Sequence, residues 1–590
     1  MDYAIRIGGP AGAGVEAIGG LVAGFLARSG CHLCTRRDYM CRIRGGHNFF
    51  QIRLADRPVT TAGGRPDILV ALDRLTLEIH ASSLTDKGLI LHDAALRDHD
   101  FQGRRSLAVD PAGIADRLRI DRIMTNSVAA GAILGLLGLE PEPLYGPVVA
   151  AFFPGRTDGV IATNVEAARA GRDHVRQQLG SDRSGPLGPP WPVTPAAPSP
   201  LMLLNGNQAM GFGALTAGCK FFAASPMQPA IGIMNWLAAK VEEHGIVVEQ
   251  AEDEPAAIHL ALGASHGGVR AMTATSGPGF ALMTEGISLA GATGTPLVVA
   301  LVQRCGPGVG MPTRTGQGDL LATLHGGQGE FPRAVLAPGS PEQAIFLTNK
   351  AFHLAEKYQL PVIVLSDQDL ADSARTHVAM ATDRLVYEDF RQTGPAQAQP
   401  DSHRPPAANH HPLPRLTIPG ESKHLVVKTG YAHDQTGRMN EDKAIEREMV
   451  HRRLREKMAL LAREISPPAY YGAPEADIVL IGHGSTLGVL LEVLERLTGA
   501  AGNEVDDTTT RTAGLLHFSE IYPFPLTDRF DYLRLLHRAG RTICVENNAT
   551  GQFARLLRAE AGFTCSNLVL GYDGRPFDVE TLLGKIDALL

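Results

Sequence analysis

Short apolar segments alternate with helical segments and glycine-rich turns along most of the 590-residue chain, and this alternation restricts the folds that it can adopt. At the start, the predicted strand Tyr3–Ile7 is followed by the turn GGPAGAG and then by an alanine-rich segment that predicts a helix over Val15–Ser29. A strand, a glycine turn and a helix in this order begin a Rossmann-like unit. The pattern resumes after residues 200 and 470, so we expect an α/β protein with several doubly wound domains.

The length and the local composition predict where the domains end. One hydrophobic core cannot serve a chain of this length, so roughly three or four domains are expected. Residues 181–200 are dense in Pro, Ser and Gly, which predicts an interdomain linker. Residues 386–470 are rich in Pro, His and charge and end in a predicted exposed helix, so we interpret them as an extended connection over the surface or a partner. The predicted segments are 1–180, 181–200, 201–385, 386–470 and 471–590.

The bulk composition argues against two classes of partner. The chain has 55 Lys and Arg against 62 Asp and Glu, and the net charge of −7 offers no general attraction for nucleic acid or an anionic membrane. No uninterrupted apolar run reaches about 18 residues, so no membrane-spanning helix is predicted. Seven cysteines and no apolar signal core near Met1 favour reduced thiols and a cytoplasmic location.

Three cysteines lie close together, at Cys31, Cys34 and Cys41. A C-x2-C pair resembles half of a zinc or iron–sulfur site, but no fourth ligand follows at a suitable spacing. Because cysteine outside disulfides is among the most buried residue types, we predict buried thiols here and no metal site in this chain.

The first glycine-rich turn has three open interpretations. Its bare N–H groups, with Gly12 and Gly14 ahead of a helix, suit a phosphate group. A dinucleotide site would also need a second strand that ends in an acidic residue, whereas the basic stretch CTRRDYM at residues 34–40 is not expected to form one. A purely structural turn, a dinucleotide site, and a contact to coenzyme A or another phosphate that also uses Arg44 all remain open.

A second turn, Thr273–Gly279, follows a predicted strand and precedes a predicted helix. Its hydroxyl and N–H groups suit a cofactor at the carboxyl edge of a sheet, but the same residues would also suit a plain helix cap. Glu254 comes just after the predicted strand IVVEQ and begins a helix. A carboxylate there is ordinarily a partner for the helix dipole, so the composition leaves the role of both features open.

Several longer motifs, taken in chain order, resemble those of one enzyme family. The motifs LNGNQAMGFGALTAGCKFFAASPMQP, VVEQAEDEPAAIHLALGASHGGVRAMTATSGPGFALMTEGISLA, VQRCGPGVGMPTRTGQGDL and GGQGEFPR resemble the α subunit of 2-oxoacid:ferredoxin oxidoreductases. RDYMCRIRGGHNFFQIR resembles the γ segment of that family, and VENNATGQFARLLR resembles its C-terminal domain. The resemblance covers nearly the whole chain. It implies a fused γ–α subunit with a Rossmann-like γ domain, a pyrimidine-binding thiamine diphosphate domain and a transketolase C-terminal-like domain.

The resemblance also implies the residues of a site. Glu254 would hydrogen-bond the aminopyrimidine of thiamine diphosphate and favour the tautomer that removes the C2 proton. Arg304 would bind the substrate carboxylate through its guanidinium fork, and Arg314 would reach the distal carboxylate of 2-oxoglutarate. The cofactor would be lined by Thr275, Ser276, Gly277, Pro278 and Gly279.

Three positions depart from the family pattern. Ser225–Pro229 reads SPMQP where the family has YPITP, so Gln228 replaces the threonine near the substrate. Cys305 replaces a glycine, and Gln328 replaces a histidine. A glutamine side chain can still donate a hydrogen bond to a carbonyl or carboxylate, so the substrate is less determined than the reaction class.

Two parts of the usual enzyme are missing from the sequence, which has no G-D-G motif followed by a distant Asn and no four suitably spaced cysteines. The resemblance implies that a β subunit supplies the Mg²⁺-bound diphosphate site and a [4Fe-4S] cluster, in a heterotetramer of two αβ units. The implied reaction converts 2-oxoglutarate and coenzyme A to succinyl-coenzyme A and CO₂ while reducing ferredoxin. In reverse it would fix CO₂, as in a reductive tricarboxylic acid cycle. The alternatives are the same chemistry on pyruvate, branched-chain or aryl 2-oxoacids, a nucleotide-dependent dehydrogenase, and a non-catalytic scaffold.

Overall fold

The computed structural model describes residues 1–40, 46–101, 103–179, 193, 201–378, 380–391, 416–421, 426–433, 438–499 and 512–590. The chain forms two compact units. The first consists of Met1–Leu204, Ser373–Met380 and Asp578–Glu580, and the second of Asn205–Asp372, Ala381–Phe577 and Thr581–Leu590. Almost all of the predicted linker at 181–200 lies outside the described residues, and the division into five segments stays a prediction.

The first unit contains an eight-stranded mixed sheet with helices. Its strands are β1 (Asp2–Pro10), β2 (His32–Asp38), β3 (His47–Ala55), β4 (Ile68–Ala71), β5 (Leu89–Asp93), β6 (Arg105–Val109), β7 (Met202–Asn205) and β14 (Ala374–His377). Its helices are α1 (Val15–Arg28), α2 (Arg74–His80), α3 (Pro111–Leu118), α4 (Thr125–Leu136), α5 (Tyr145–Phe152) and α6 (Asp158–Leu179). The strand order is β6-β5-β4-β1-β3-β2-β14-β7, and β1, β4, β5 and β6 run parallel.

The basic stretch at residues 34–40 lies largely in a strand, so the expectation that it would not form one is wrong. β2 runs over His32–Asp38 and ends in an acidic residue. The positive charge of this stretch did not indicate a loop, because Arg36 and Arg37 lie over phenylalanine rings of β3. Arg36 is also 3.9 Å from the Asp38 carboxylate. The antiparallel β3 separates β1 from β2, whereas a dinucleotide-binding fold places its first two strands side by side. This order disfavours the dinucleotide interpretation.

The second unit contains two further sheets. Their strands are β8 (Phe221–Ala224), β9 (Val247–Gln250), β10 (Ala271–Thr275), β11 (Leu297–Gln303), β12 (Ala334–Leu336), β13 (Pro361–Asp367), β15 (Ala469–Gly472), β16 (Ile478–His483), β17 (Ala513–Phe518), β18 (Glu520–Tyr522), β19 (Arg541–Glu546) and β20 (Asn567–Leu570). The helices are α7 (Gly206–Thr216), α8 (Ile231–Ala238), α9 (Val241–His244), α10 (Glu254–His266), α11 (Gly277–Leu282), α12 (Thr284–Thr293), α13 (Leu320–His325), α14 (Pro341–Tyr358), α15 (Gln368–Asp372), α16 (Lys443–His451), α17 (Lys457–Ala462), α18 (Leu487–Leu497), α19 (Tyr532–Arg538), α20 (Gln552–Ala561) and α21 (Val579–Asp587).

Both of these sheets are parallel except at one edge. The order is β18-β12-β13-β11-β10-β8-β9 in one and β15-β17-β16-β19-β20 in the other, with β18 and β15 antiparallel to their neighbours. Every residue of β11 and β13 is buried, as expected for strands covered on both faces of a parallel sheet. The predicted α/β class is therefore confirmed. The predicted helix at the end of residues 386–470 corresponds to α16 and α17, and α16 buries none of its residues.

Candidate functional site

The second unit brings several predicted residues to one edge of its larger sheet. β8, β10 and β11 run parallel, so the segments that follow them leave the same edge. These segments are SPMQP, TSGPG and the loop that begins at Arg304. Ligands of open α/β sheets bind at this carboxyl edge. The three segments therefore lie at one edge of the sheet, and the roles of their residues stay predictions.

Glu254 is a buried carboxylate beside the TSGPG turn. Its side chain is 7% exposed, and it accepts no hydrogen bond from the residues that the structure describes. The capping of α10 is done by Asp253, whose carboxylate accepts from Ala256 N at 2.7 Å. A Cβ at Gly279 would lie 2.6 Å from Glu254 Cγ. Because a buried polar group without a partner costs free energy, Glu254 is suited to a ligand that donates a hydrogen bond.

The TSGPG turn lies beside Glu254, and its N-cap side chain makes no cap bond. Thr275 and Ser276 are fully buried, and Ser276 occupies the N-cap position of α11 without making a side-chain cap bond. Its hydroxyl oxygen has no hydrogen-bond partner. A Cβ at Gly277 would overlap the Asp319 carboxyl, and one at Gly279 would overlap the Glu254 side chain, so both glycines allow the turn to pack closely against these carboxylates. Pro278 lies in the first turn of α11. The turn thus presents a buried hydroxyl and bare backbone at the sheet edge.

Arg304 supplies a buried positive charge at the same edge. It is 9% exposed, and its Nη1 donates to the main-chain oxygen of Gln228 at 2.8 Å. Its Nε and the side-chain oxygen of Gln228 are buried without a partner. Burial lowers the pKa of the guanidinium, and the charge of Asp319 acts in the opposite direction. A buried cation with an unused donor is suited to an anionic ligand.

Arg314 lies in a hairpin-like loop that returns to Arg304. Cys305 N donates to Arg314 O at 3.3 Å, and Met311 N donates to Cys305 O at 2.8 Å. The loop therefore holds the backbone of Arg314 next to the residue that follows Arg304. A Cβ at Gly574 would lie 3.0 Å from Arg314 Cβ, which places this arginine beside the loop after β20.

Sequence reasoning missed a clamp that holds the GQGD segment before α13. Gln317 N donates to Asn547 O at 2.7 Å, and Asn547 N donates to Gln317 Oε1 at 2.9 Å. Asn548 Nδ2 donates to Gln317 O at 3.2 Å, and Gln552 Nε2 donates to Gly318 O at 2.7 Å. The motif VENNATGQ was recognised, but its pairing with a segment about 230 residues earlier is a tertiary contact without a local signal. The clamp positions Asp319, which was also missed.

We expect Asn548→Ala to lower the free energy of unfolding by about 1–3 kcal/mol, the usual cost of leaving buried polar partners unsatisfied. Besides Gln317, Asn548 binds Glu546 and accepts from the main chain at the start of α20. Urea unfolding followed by circular dichroism checks this. The matched control is Asn567→Ala at the start of β20, whose side-chain oxygen has no partner. An equal loss of stability in both variants would contradict the clamp.

The first glycine turn requires glycine for structural reasons. Gly12 and Gly14 have φ of 90° and 83°, in the left-handed region, and a Cβ at Gly14 would overlap the side chain of Asn126. Arg44 lies outside the described residues, so the coenzyme A contact stays a prediction.

The described residues contain no group of three or more His, Cys, Asp or Glu arranged to hold a metal ion. Cys31 and Cys34 are buried, and burial raises the pKa of the Cys31 thiol to about 11. Cys41 lies outside the described residues. None of the helices in the described ranges is long and apolar enough to cross a membrane.

Comparisons with known proteins match this architecture along the chain. Residues 4–174 match the family "Pyruvate ferredoxin/flavodoxin oxidoreductase", and residues 212–448 match "Pyruvate flavodoxin/ferredoxin oxidoreductase, thiamine diP-bdg". The chain is 28% identical to 2-oxoacid:ferredoxin oxidoreductase 2, subunit alpha, of Aeropyrum pernix, over 100% of this chain and 98% of the relative. It is 31% identical to 2-oxoglutarate synthase subunit KorA of Methanothermobacter thermautotrophicus, over 65% of this chain and 97% of the relative.

A solved structure agrees over the full length. It is the 2-oxoglutarate:ferredoxin oxidoreductase from Magnetococcus marinus with 2-oxoglutarate, coenzyme A and succinyl-CoA bound, with a TM-score of 0.85, 28% identity, and coverage of 100% of this chain and 99% of that chain. The two consecutive family matches agree with the predicted γ–α fusion and include a thiamine-diphosphate-binding domain. The chain therefore belongs to the α subunits of the 2-oxoacid:ferredoxin oxidoreductases, enzymes that work with partner subunits.

Proposed function

We propose that this subunit serves the oxidative decarboxylation of 2-oxoglutarate with coenzyme A, which yields succinyl-coenzyme A and CO₂, reduces ferredoxin and can run in reverse to fix CO₂. The observation that carries the proposal is that a buried carboxylate, Glu254, which accepts no hydrogen bond from the described residues, and a buried cation, Arg304, lie at the same sheet edge. The carboxylate of a 2-oxoacid would bind the Arg304 guanidinium, and a basic heterocycle would donate a hydrogen bond to the Glu254 carboxylate.

The residues present fit thiamine diphosphate. Glu254 would bind the aminopyrimidine, and the lining would be Thr275, Ser276, Gly277, Pro278 and Gly279. The unpartnered Ser276 hydroxyl supports this assignment, and so does the close approach of the turn to Glu254, which the absence of a Cβ at Gly279 permits. When bound, the cofactor supplies an electron sink for the decarboxylation of a 2-oxoacid. The task of Glu254 is to hold a proton at the ring nitrogen that it contacts, and that of the turn is to exclude water.

The substrate would be held by three side chains. Arg304 binds the carboxylate next to the keto group, since its Nε is buried and unused. The Gln228 side chain follows the main-chain oxygen that Arg304 binds, and its NH2 group donates to a substrate oxygen. Arg314, in the loop that returns to Arg304, reaches the distal carboxylate of 2-oxoglutarate. Relatives named 2-oxoglutarate synthase and the 2-oxoglutarate complex support this choice of substrate.

A panel of 2-oxoacids assayed by dye reduction with the complete complex tests the substrate assignment. We expect the highest kcat/KM for 2-oxoglutarate. Arg314→Ala should lower kcat/KM for 2-oxoglutarate about 10- to 100-fold, as the loss of one hydrogen-bonded charge predicts, and leave pyruvate unaffected. The control is Arg534→Ala, at an exposed position of α19. Equal losses for both substrates would contradict the assignment.

The proposal includes a β subunit that supplies the Mg²⁺-bound diphosphate site and a [4Fe-4S] cluster, in a dimer of αβ units. Its support is the sequence, which lacks the G-D-G motif and a four-cysteine set, together with relatives that are themselves named α subunits. The first unit would contribute to coenzyme A binding through the turn at Gly12 and Gly14 and through Arg44. A cytoplasmic location accords with a ferredoxin partner.

A further inference from the structure

Asp319 is a carboxyl group that the assigned roles leave unused. It occupies the N-cap position of α13 but makes no side-chain cap bond. Its main-chain N donates to Gln303 Oε1 at 2.9 Å, so it is tied to the last residue of β11. The clamp on Gln317 and Gly318 fixes the backbone just before it. Its Oδ2 is buried and has no hydrogen-bond donor. This carboxyl is therefore held in place without serving the helix that it precedes.

The surroundings of Asp319 place it in the candidate site. A Cβ at Gly277 would lie 2.6 Å from Asp319 Oδ2, so the carboxyl lies against the TSGPG turn. Arg304, the residue after Gln303, is the charged group that acts on it electrostatically. Glu254 of α10 lies beside Gly279, two residues further along the same turn. Burial raises the pKa of Asp319 to about 6, and Arg304 acts to lower it.

Two neighbouring polar groups thus lack complementary partners. Arg304 Nε is a donor without an acceptor, and Asp319 Oδ2 is a carboxyl oxygen without a donor. A 2-oxoacid offers only acceptor oxygens at its carboxylate and keto group. An ionised Asp319 would repel these oxygens, whereas a protonated Asp319 carries an O–H that they can accept.

We propose that Asp319 binds the 2-oxoacid as a neutral carboxylic acid, donating its O–H to a substrate oxygen beside the Arg304 guanidinium. This inference rests on the proposed function. When the free enzyme holds Asp319 ionised, binding must take up one proton. Affinity is then highest below the pKa of about 6 and falls as the pH rises above it, by up to about tenfold per pH unit.

The test is calorimetric titration of the complete complex with N-oxalylglycine, an analogue in which a nitrogen replaces the carbon next to the keto group. At pH 8 the titration is run in two buffers of different ionisation enthalpy, which measures proton uptake. We expect uptake close to one proton and a Kd at least about tenfold higher at pH 8 than at pH 6. Binding without proton uptake would overturn the inference and leave the proposed function intact. Absence of binding at every pH would overturn both.

The variant Asp319→Asn separates this role from a purely structural one. Its amide stays neutral and still donates, so we expect binding at pH 8 without proton uptake and a Kd that no longer rises between pH 6 and pH 8. Glu242→Gln, at an exposed position of α9, is the matched carboxylate-to-amide control and should behave like the wild type. A variant Kd that still rises as in the wild type would overturn the inference. If the Asn variant does not assemble, the proton uptake of the wild type decides the question.

Discussion

Replacement of Glu254 by Gln is expected to lower turnover about 10²- to 10⁴-fold, the range that acid–base activation supplies, while the complex still assembles. The side chain keeps its size and remains buried beside Gly279, so packing is preserved. The amide cannot share a proton with a ring nitrogen as a carboxylic acid does. Steady-state dye reduction with 2-oxoglutarate measures the loss.

Two controls accompany this substitution. Glu252→Gln changes an exposed carboxylate two residues earlier and should leave turnover unchanged. The thiamine diphosphate content of each complex shows whether the cofactor is still bound. Near-normal turnover in Glu254→Gln with a full complement of cofactor would remove this carboxylate from the mechanism.

Replacement of Arg304 by Ala is expected to reduce kcat/KM for 2-oxoacids roughly 30- to 5,000-fold, because truncating one partner of a buried charge pair costs about 2–5 kcal/mol. Arg304 is nearly buried, and one of its nitrogen atoms is already held by Gln228 O, so its fork is oriented before substrate arrives. Arg304→Lys should recover only part of the loss, since an ammonium lacks that fork.

The readout for Arg304 is the separation of KM from kcat across several 2-oxoacids. Every 2-oxoacid carries the carboxylate that this residue binds, so the loss should be similar for pyruvate and 2-oxoglutarate, unlike that in Arg314→Ala. Arg463→Ala, at an exposed position after α17, is the control. A loss confined to 2-oxoglutarate would mean that Arg304 binds the distal carboxylate instead.

The order of strands and helices was predictable where hydrophobic patterns are local. Every residue of β11 and β13 is buried and most are apolar. Glu254 begins α10 as expected. Two strands with partners far away in the sequence were not predictable. β14 pairs with β2, and β18 pairs with β12, each across a long stretch of sequence, and such pairings leave no local pattern. β2 was missed because partnered arginines imitate the composition of a loop.

The sequence predicted several residues that the structure brings to one sheet edge, and it missed Asp319; their roles in binding stay predictions. Family motifs pointed to Glu254 and Arg304, and the parallel strands brought them to one edge. The structure also distinguishes roles that composition left open: Asp253 caps α10, and Ser276 makes no cap bond. Asp319 escaped notice because an acidic residue before a short helix is typical of a cap. Only its burial against Gly277 and its missing donor give it another role.

The measurement that tests the central claim most directly is an experimental structure of this chain with its β subunit and thiamine diphosphate. We predict a Glu254 carboxylate oxygen about 2.6–3.2 Å from a nitrogen of the pyrimidine ring, with the diphosphate and its metal ion bound by the other polypeptide. A pyrimidine ring distant from Glu254, or a metal-bound diphosphate held by this chain alone, would contradict the account.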